Sequence, residues 1–164
     1  MLIRTIVTAS LLLGCSSAQR GSEPVVDQNF DCRNRRIAYE VTGGFGAYKS
    51  GVAVRCEGGA PQLVTFRQES KDEERKVKTH AMSSREFDVL WEKIDSTGWR
   101  HLEDCDYIGL ENDPQYIIML GDHAAEAKVS CAAQSSNTGK KLQFPHEQIV
   151  NELDLKAGGL GGGY

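Results

Sequence analysis

A change of hydrophobic period restricts this chain more than any other feature. Between residues 36 and 68 apolar side chains recur at every second position. Ile37, Tyr39 and Val41 form one set, Val52, Val54 and Cys56 a second, and Val64 and Phe66 a third. Period two is that of a strand with one face buried. Gly43-Gly44-Phe45-Gly46 and Glu57-Gly58-Gly59-Ala60-Pro61 fall where turns are needed. Three strands joined by short turns predict an antiparallel meander, over residues 36–42, 51–56 and 62–68.

The period then becomes helical. Phe87, Leu90, Trp91 and Ile94 stand at i, i+3, i+4 and i+7, one stripe. Ser83 and Glu86 make a capping box, Met82 and Phe87 a hydrophobic staple, and Gly98 a left-handed stop. A helix over 84–97 with one apolar face must cover something, and the strand faces are the available partner. Strand period returns at 115–120 and 126–132. Tyr116, Ile118 and Leu120 face one way and Ile117 and Met119 the other, as in a central strand. Pro145 opens a second helix with His146, Ile149, Val150 and Leu153 as its stripe. The order is β-β-β-α-β-β-α. The expected fold is α+β: a five-stranded, mostly antiparallel sheet with two helices on one face. The mixed charges at 69–78 predict a solvated loop or strand extension, and 134–141 a polar loop.

The N-terminus carries a different signal. Arg4 is followed by an apolar run ending in Leu12-Leu13-Gly14-Cys15. That run falls short of the roughly 20 apolar residues a permanent span needs. Its ending resembles the bacterial lipobox, in which the Cys is acylated and becomes the new N-terminus. The resemblance implies a signal peptide at 1–14, a lipidated Cys15, a polar tether over 15–31, one domain over 32–157 and a Gly-rich tail at 158–164. Ser16 after the Cys favours the outer membrane, with the domain in the periplasm or at the cell surface.

Loss of residues 1–14 removes only Arg4, moving the formal charge from −4 to −5. That acidity argues against nucleic acid and against a polybasic grip on lipid headgroups. It also leaves Cys32, Cys56, Cys105 and Cys131, an even set in an oxidising compartment. Their wide spacing lacks the close pairs of structural zinc sites. The most sequence-local pairing is Cys32–Cys56 and Cys105–Cys131.

No catalytic constellation stands out. There is no G-x-S-x-G elbow, and His146-Glu147 lacks the second His of a zincin because Val150 takes its place. His80, His101, His123 and His146 are scattered and read as surface or cap residues. Asp104 and Asp106 lack the spacing of a calcium loop. The glycine-rich segment 43–51 lacks the G-K-[ST] of a phosphate loop. It is instead a turn that can present Phe45 and Tyr48, framed by Gly43 and Gly44, to a partner. No metal or cofactor is implied.

A strand ending in Thr-Gly-Gly-Phe-Gly resembles the opening of small bacterial metalloprotease inhibitors of the protealysin-inhibitor (emfourin) type. The later Asp113, Tyr116 and Ile118 match a second segment of that family. The layout also resembles lipoprotein domains of unassigned function. The resemblance spans residues 37–155 and implies inhibition of a secreted metalloprotease. The lipobox, the four additional Cys and the charged insertion at 69–78 depart from that pattern. The functional expectation is an envelope-anchored, non-catalytic module binding an envelope or secreted protein. Protease inhibition is the alternative, and an enzyme with an unrecognised site a second alternative. Mass spectrometry of the mature protein is expected to show 1–14 absent and Cys15 acylated. An intact leader with unmodified Cys15 would remove the anchor.

Overall fold

The computed structural model describes residues 32, 34–43, 48–107, 109–136 and 139–158. Cys15, the tether, Gly44, Phe45 and nearly all of the glycine tail lie outside the described residues. The strands are β1 (Arg36–Thr42), β2 (Lys49–Glu57), β3 (Ala60–Gln68), β4 (Lys76–Ala81), β5 (Gln115–Gly121) and β6 (Glu126–Ala132). They form one sheet in the order β4-β3-β2-β1-β5-β6, every neighbouring pair antiparallel. Helices α1 (Ser84–Asp95) and α2 (His146–Lys156) bury their stripes in a single core with one face of this sheet. The fold is α+β, as the alternation of periods requires.

Local chemistry sets the first helix. The Ser83 hydroxyl accepts from the Glu86 amide at 3.2 Å, and the Glu86 carboxylate accepts from the Ser83 amide at 3.0 Å. Two otherwise orphaned donors are thereby satisfied. Phe87, Leu90, Trp91 and Ile94 are buried against Ile37, Tyr39, Val52, Val54 and Ile118. Each such burial contributes ~1.5–3 kcal/mol before the cost of ordering. α1 stops at Asp95, two residues before the expected end. Gly98 adopts φ +73°, and a 3-10 turn at Trp99–His101 follows. That turn drives Trp99 into the core, edge-on to Trp91 with ring centroids 5.9 Å apart. Its indole N–H donates to Asp95 at 3.2 Å.

The two layers are also joined by polar contacts. The Tyr39 hydroxyl of β1 donates to the Asp154 carboxylate of α2. Burial pushes that carboxyl above its usual range, and the Tyr39 hydrogen bond opposes the rise. Arg35 binds Asp88 at 2.7 Å and lies 5.6–5.7 Å from the Trp91 and Phe87 ring centres, clasping α1 from the segment before β1.

The structure corrects three expectations. The main sheet has six strands, because Lys76–Ala81 pairs with β3 as an edge strand. Every β4 residue is exposed, so it lacks the apolar face by which period two is recognised. The face of β3 is also reversed. Leu63 and Thr65 oppose Val54 and Val52 on the helix side, which puts Val64 and Phe66 on the other side. A one-residue choice flips a whole strand, and β3 carries apolar residues on both faces. Finally, segment 134–141 forms a separate polar hairpin, β7 (Gln134–Ser136) with β8 (Gly139–Lys141).

Asp122 anchors the β5–β6 turn. It accepts from the Ala124 and Ala125 amides at 2.7 and 2.8 Å and from Arg100. Burial opposes its ionisation, but those donors outweigh it and hold its pKa at about 2. A depressed carboxyl stabilises the fold above its unfolded pKa and loses that effect as pH falls toward about 2. Asp122→Ala is expected to cost ~1–2 kcal/mol near neutrality. It should also flatten the fall in stability between about pH 4 and 2. Denaturant melts across that range check both, and an unchanged acid limb in the variant contradicts the assignment.

Candidate functional site

With both helices on one side, the other face of the sheet lies open. Register places four rows across it, of which Gln68, Lys49, Thr42, Gln115 and Ala132 form the one nearest the 43–48 turn. Thr79, Val64, Ala53, Ala38, Met119 and Lys128 lie in the third row. Val77, Phe66, Gly51, Glu40, Ile117 and Ser130 form the second. Arg55 and Arg36 begin the fourth, at neighbouring positions in the continued β1–β2 register, beside Gly121 and Glu126.

The small residues Ala38, Ala53, Gly51 and Gly121 sit between larger ones, so the face is concave. Its cleft measures about 730 Å³ and is floored by Ala38, Ala53, Val64, Phe66 and Met119. At Gly51 a Cβ would stand 2.3 Å from the Tyr39 carbonyl and 2.7 Å from the Phe66 ring, so only glycine fits. The Arg75 guanidinium covers the other side of Phe66, 3.8 Å from the ring centre, and binds Glu40 at 3.2 Å. Lys49 reaches Glu40 at 3.4 Å. Among the described residues, Arg36 and Arg55 make no ion pair, and both are exposed at the cleft rim. The arrangement offers an apolar floor, a glycine-backed aromatic and two uncompensated cations. It suits an extended acidic segment better than a small molecule, which is usually enclosed far more completely.

The turn after β1 is partly described. The Gly43 amide donates to the Tyr48 carbonyl at 2.9 Å, closing the loop base. A Cβ at Gly43 would stand 1.8 Å from the Tyr48 ring, so the ring lies on the glycine. Tyr48 is half-buried and Gly43 buried. They brace the loop that holds Gly44 and Phe45, whose own positions lie outside the described residues.

The segment from Trp99 to Pro114 is ordered by two carboxylates. Asp104 accepts from the Ser130 amide at 2.6 Å and the Cys105 amide donates to the Ser130 carbonyl at 3.0 Å, capping the β6 edge. Asp113 is 5% exposed and accepts from the Tyr107 hydroxyl at 2.5 Å and the Leu110 amide at 2.9 Å. Asp113 and Ile118 are buried, and the half-buried Tyr116 packs beside Tyr39 at 6.1 Å. Asp113, Tyr116 and Ile118 therefore serve the fold here.

The four domain cysteines form Cys32–Cys56 and Cys105–Cys131, the most sequence-local pairing. Each contributes ~2–4 kcal/mol, mainly by restricting the unfolded chain. Three of the four histidines are exposed, but His146 is 4% exposed, which fits its place in the α2 stripe and corrects its reading as a surface or cap residue. Its Nε2 lies 2.9 Å from the Glu103 carbonyl, while its Nδ1 is buried and has no partner among the described residues. A buried orphan of this kind costs ~1–3 kcal/mol. A ring nitrogen of His146 and the sulfurs of Cys105 and Cys131 lie within 4.8 Å of one another.

No protein-family model matches the chain, and no curated protein matches it. No helix among the described residues is long and apolar enough to cross a membrane.

Period-two alternation reveals a strand's buried face and says little of a face whose apolar residues are small. Ala38, Ala53 and Gly51 therefore gave no sign of a cleft. Arg36 and Arg55 are far apart in sequence and meet only through register.

The Tyr107 phenol is pushed up, first by donating its hydrogen bond to the Asp113 carboxylate and then by burial and the adjacent charge. Asp113→Asn is expected to return Tyr107 toward the ordinary value of about 10 and to loosen the 99–114 segment. Titration followed by NMR of labelled tyrosine checks this, and an unmoved Tyr107 resonance would refute the link.

Proposed function

We propose that this protein is a lipid-anchored envelope module that binds another envelope or secreted protein without catalysis. Its open sheet face and the 43–48 loop serve as the contact surface. The concave open face, with its apolar floor and with Arg36 and Arg55 unpaired among the described residues, is the observation that carries this reading. Buried apolar contact would supply affinity and the two arginines orientation and association rate. The partner segment is extended, apolar at its centre and acidic where it meets Arg36 and Arg55.

The anchor fits this arrangement. Cys32 and Asn34 border the cleft, so the tether joins the domain at its rim. Sixteen residues separate Cys15 from Cys32's position. As a coil they span ~22 Å, and fully extended at most ~55 Å. β1 then runs from the Arg36 end to the loop, about 23 Å for seven residues. Anchored through Cys15, the protein would hold the cleft near the lipid surface and the loop farther out. Metalloprotease inhibition remains a narrower form of this reading, with Phe45 and Tyr48 as the contact.

Photo-crosslinking in living cells tests it. A photoreactive residue at Gln62 or Lys128, on the open face, is expected to yield a discrete adduct. The same probe at Glu92 or Asn151, on exposed helix positions, should not. Arg36→Glu with Arg55→Glu should reduce the adduct about tenfold or more, a loss of ~1.4 kcal/mol or more in affinity. Equal adducts from both faces, or an unaffected double variant, would overturn the open-face reading. Titration against a thermolysin-like protease separates the narrower form. Inhibition lost in Phe45→Ala/Tyr48→Ala supports it, and no inhibition at micromolar protein dismisses it for that enzyme.

A further inference from the structure

The environment of His146 is incomplete in a specific way. A carbonyl oxygen only accepts hydrogen bonds, so the contact with Glu103 places the hydrogen on Nε2. In the neutral ring Nδ1 is then a bare lone pair, buried and without a partner. A ring nitrogen of His146 lies within 4.8 Å of the sulfurs of Cys105 and Cys131, and with Nε2 committed to Glu103 the free lone pair is that of Nδ1. While those sulfurs are joined, neither carries a hydrogen that could satisfy the lone pair, nor a charge that could help hold a cation.

Reduction changes both facts. Two thiols appear beside an imidazole whose other nitrogen donates to a backbone carbonyl. Metal-binding histidines are typically oriented in this way, the second nitrogen donating to a carbonyl or carboxylate while the first takes the ion. Two thiolates and one imidazole are the ligand types a zinc-class ion prefers, with a fourth position left for water. The three residues come from the segment before β5, from β6 and from the first turn of α2. Their convergence is therefore a product of the fold, and no short motif announces it. Cys131 and His146 are buried, whereas Cys105 is half-buried and opens the site to solvent.

We propose that Cys105, Cys131 and His146 form a redox-gated binding site for a divalent ion of the zinc class. The site is closed as a disulfide and opened by two-electron reduction. A dithiol reductant transfers two electrons and two protons to the Cys105–Cys131 bond and is itself oxidised to a disulfide. The ion then displaces the two thiol protons and takes Sγ of Cys105, Sγ of Cys131 and Nδ1 of His146. The site lies away from the open-face cleft and does not depend on the proposed partner.

Cobalt is the probe, since thiolate ligation gives it a charge-transfer band and tetrahedral sites give it intense visible bands. The full-length chain carrying Cys15→Ser would be studied in detergent, before and after reduction by a water-soluble phosphine. One cobalt per chain is expected to bind after reduction only, and equimolar zinc should displace it. His146→Ala should weaken binding about tenfold or more. Cys105→Ser with Cys131→Ser should abolish it. Near-UV circular dichroism reports folding in parallel. The proposal fails if the reduced, folded protein gives no thiolate band. It also fails if His146→Ala binds cobalt as the parent does, or if the double-cysteine variant does, which would place the ion at Cys32 and Cys56. A reduced chain that unfolds and is not refolded by zinc overturns it as well, whereas recovery of the fold with zinc supports it.

Discussion

Everything in this structure depends on the burial of one face of a six-stranded sheet beneath two helices. The core joins Ile37, Tyr39, Val52, Val54, Leu63, Ile118 and Leu120 to the stripes of α1 and α2. An antiparallel sheet tolerates water on one side, so two helices suffice and the opposite face is left open. The chain thus gains a stable core and a concave surface from the same asymmetry. Trp99 extends that core beyond the end of α1, and the Tyr39–Asp154 contact gives the layers a polar tie where α2 crosses β1.

The two disulfides act at different places on this frame. Cys32–Cys56 fastens the segment entering β1 to β2, and so fixes where residues leading from the N-terminus join the sheet. Cys105–Cys131 ties the irregular 99–114 segment to edge strand β6, beside α2. Asp104 and Asp113 continue that work with backbone donors. The opposite edge, β4, is left without such cover. Its exposed lysines and histidine are the means by which edge strands discourage uncontrolled pairing.

The open face and the Cys105–Cys131–His146 cluster differ in chemistry. The first is an open, largely apolar surface: small residues make it concave, Phe66 rests on Gly51, and Arg75 and Glu40 hold that ring in place. The second is a buried sulfur and imidazole cluster, with one nitrogen committed to a carbonyl and the other unsatisfied among the described residues. Neither requires the other, so the two proposals stand independently.

The sequence by itself determined the period of β1, β2, β3, β5, β6 and both helices, the capping box at Ser83, both helical stripes and the even cysteine set of the domain. These are local properties, carried by neighbours within a turn or a strand, and they sufficed for an α+β sheet-and-helix class, whereas the sequence left three cysteine pairings open and the structure shows the most sequence-local one. Only the tertiary structure decided the face of β3, the presence of β4, the pairing of Arg36 with Arg55 on one rim and the meeting of Cys105, Cys131 and His146. Each of these rests on register or on packing between segments distant in the chain. Val64 and Phe66 alternate as an inward pair would, and only the β2 register shows that Leu63 and Thr65 take that side. His146 reads as a cap residue until α2 docks and the Glu103 carbonyl claims its Nε2.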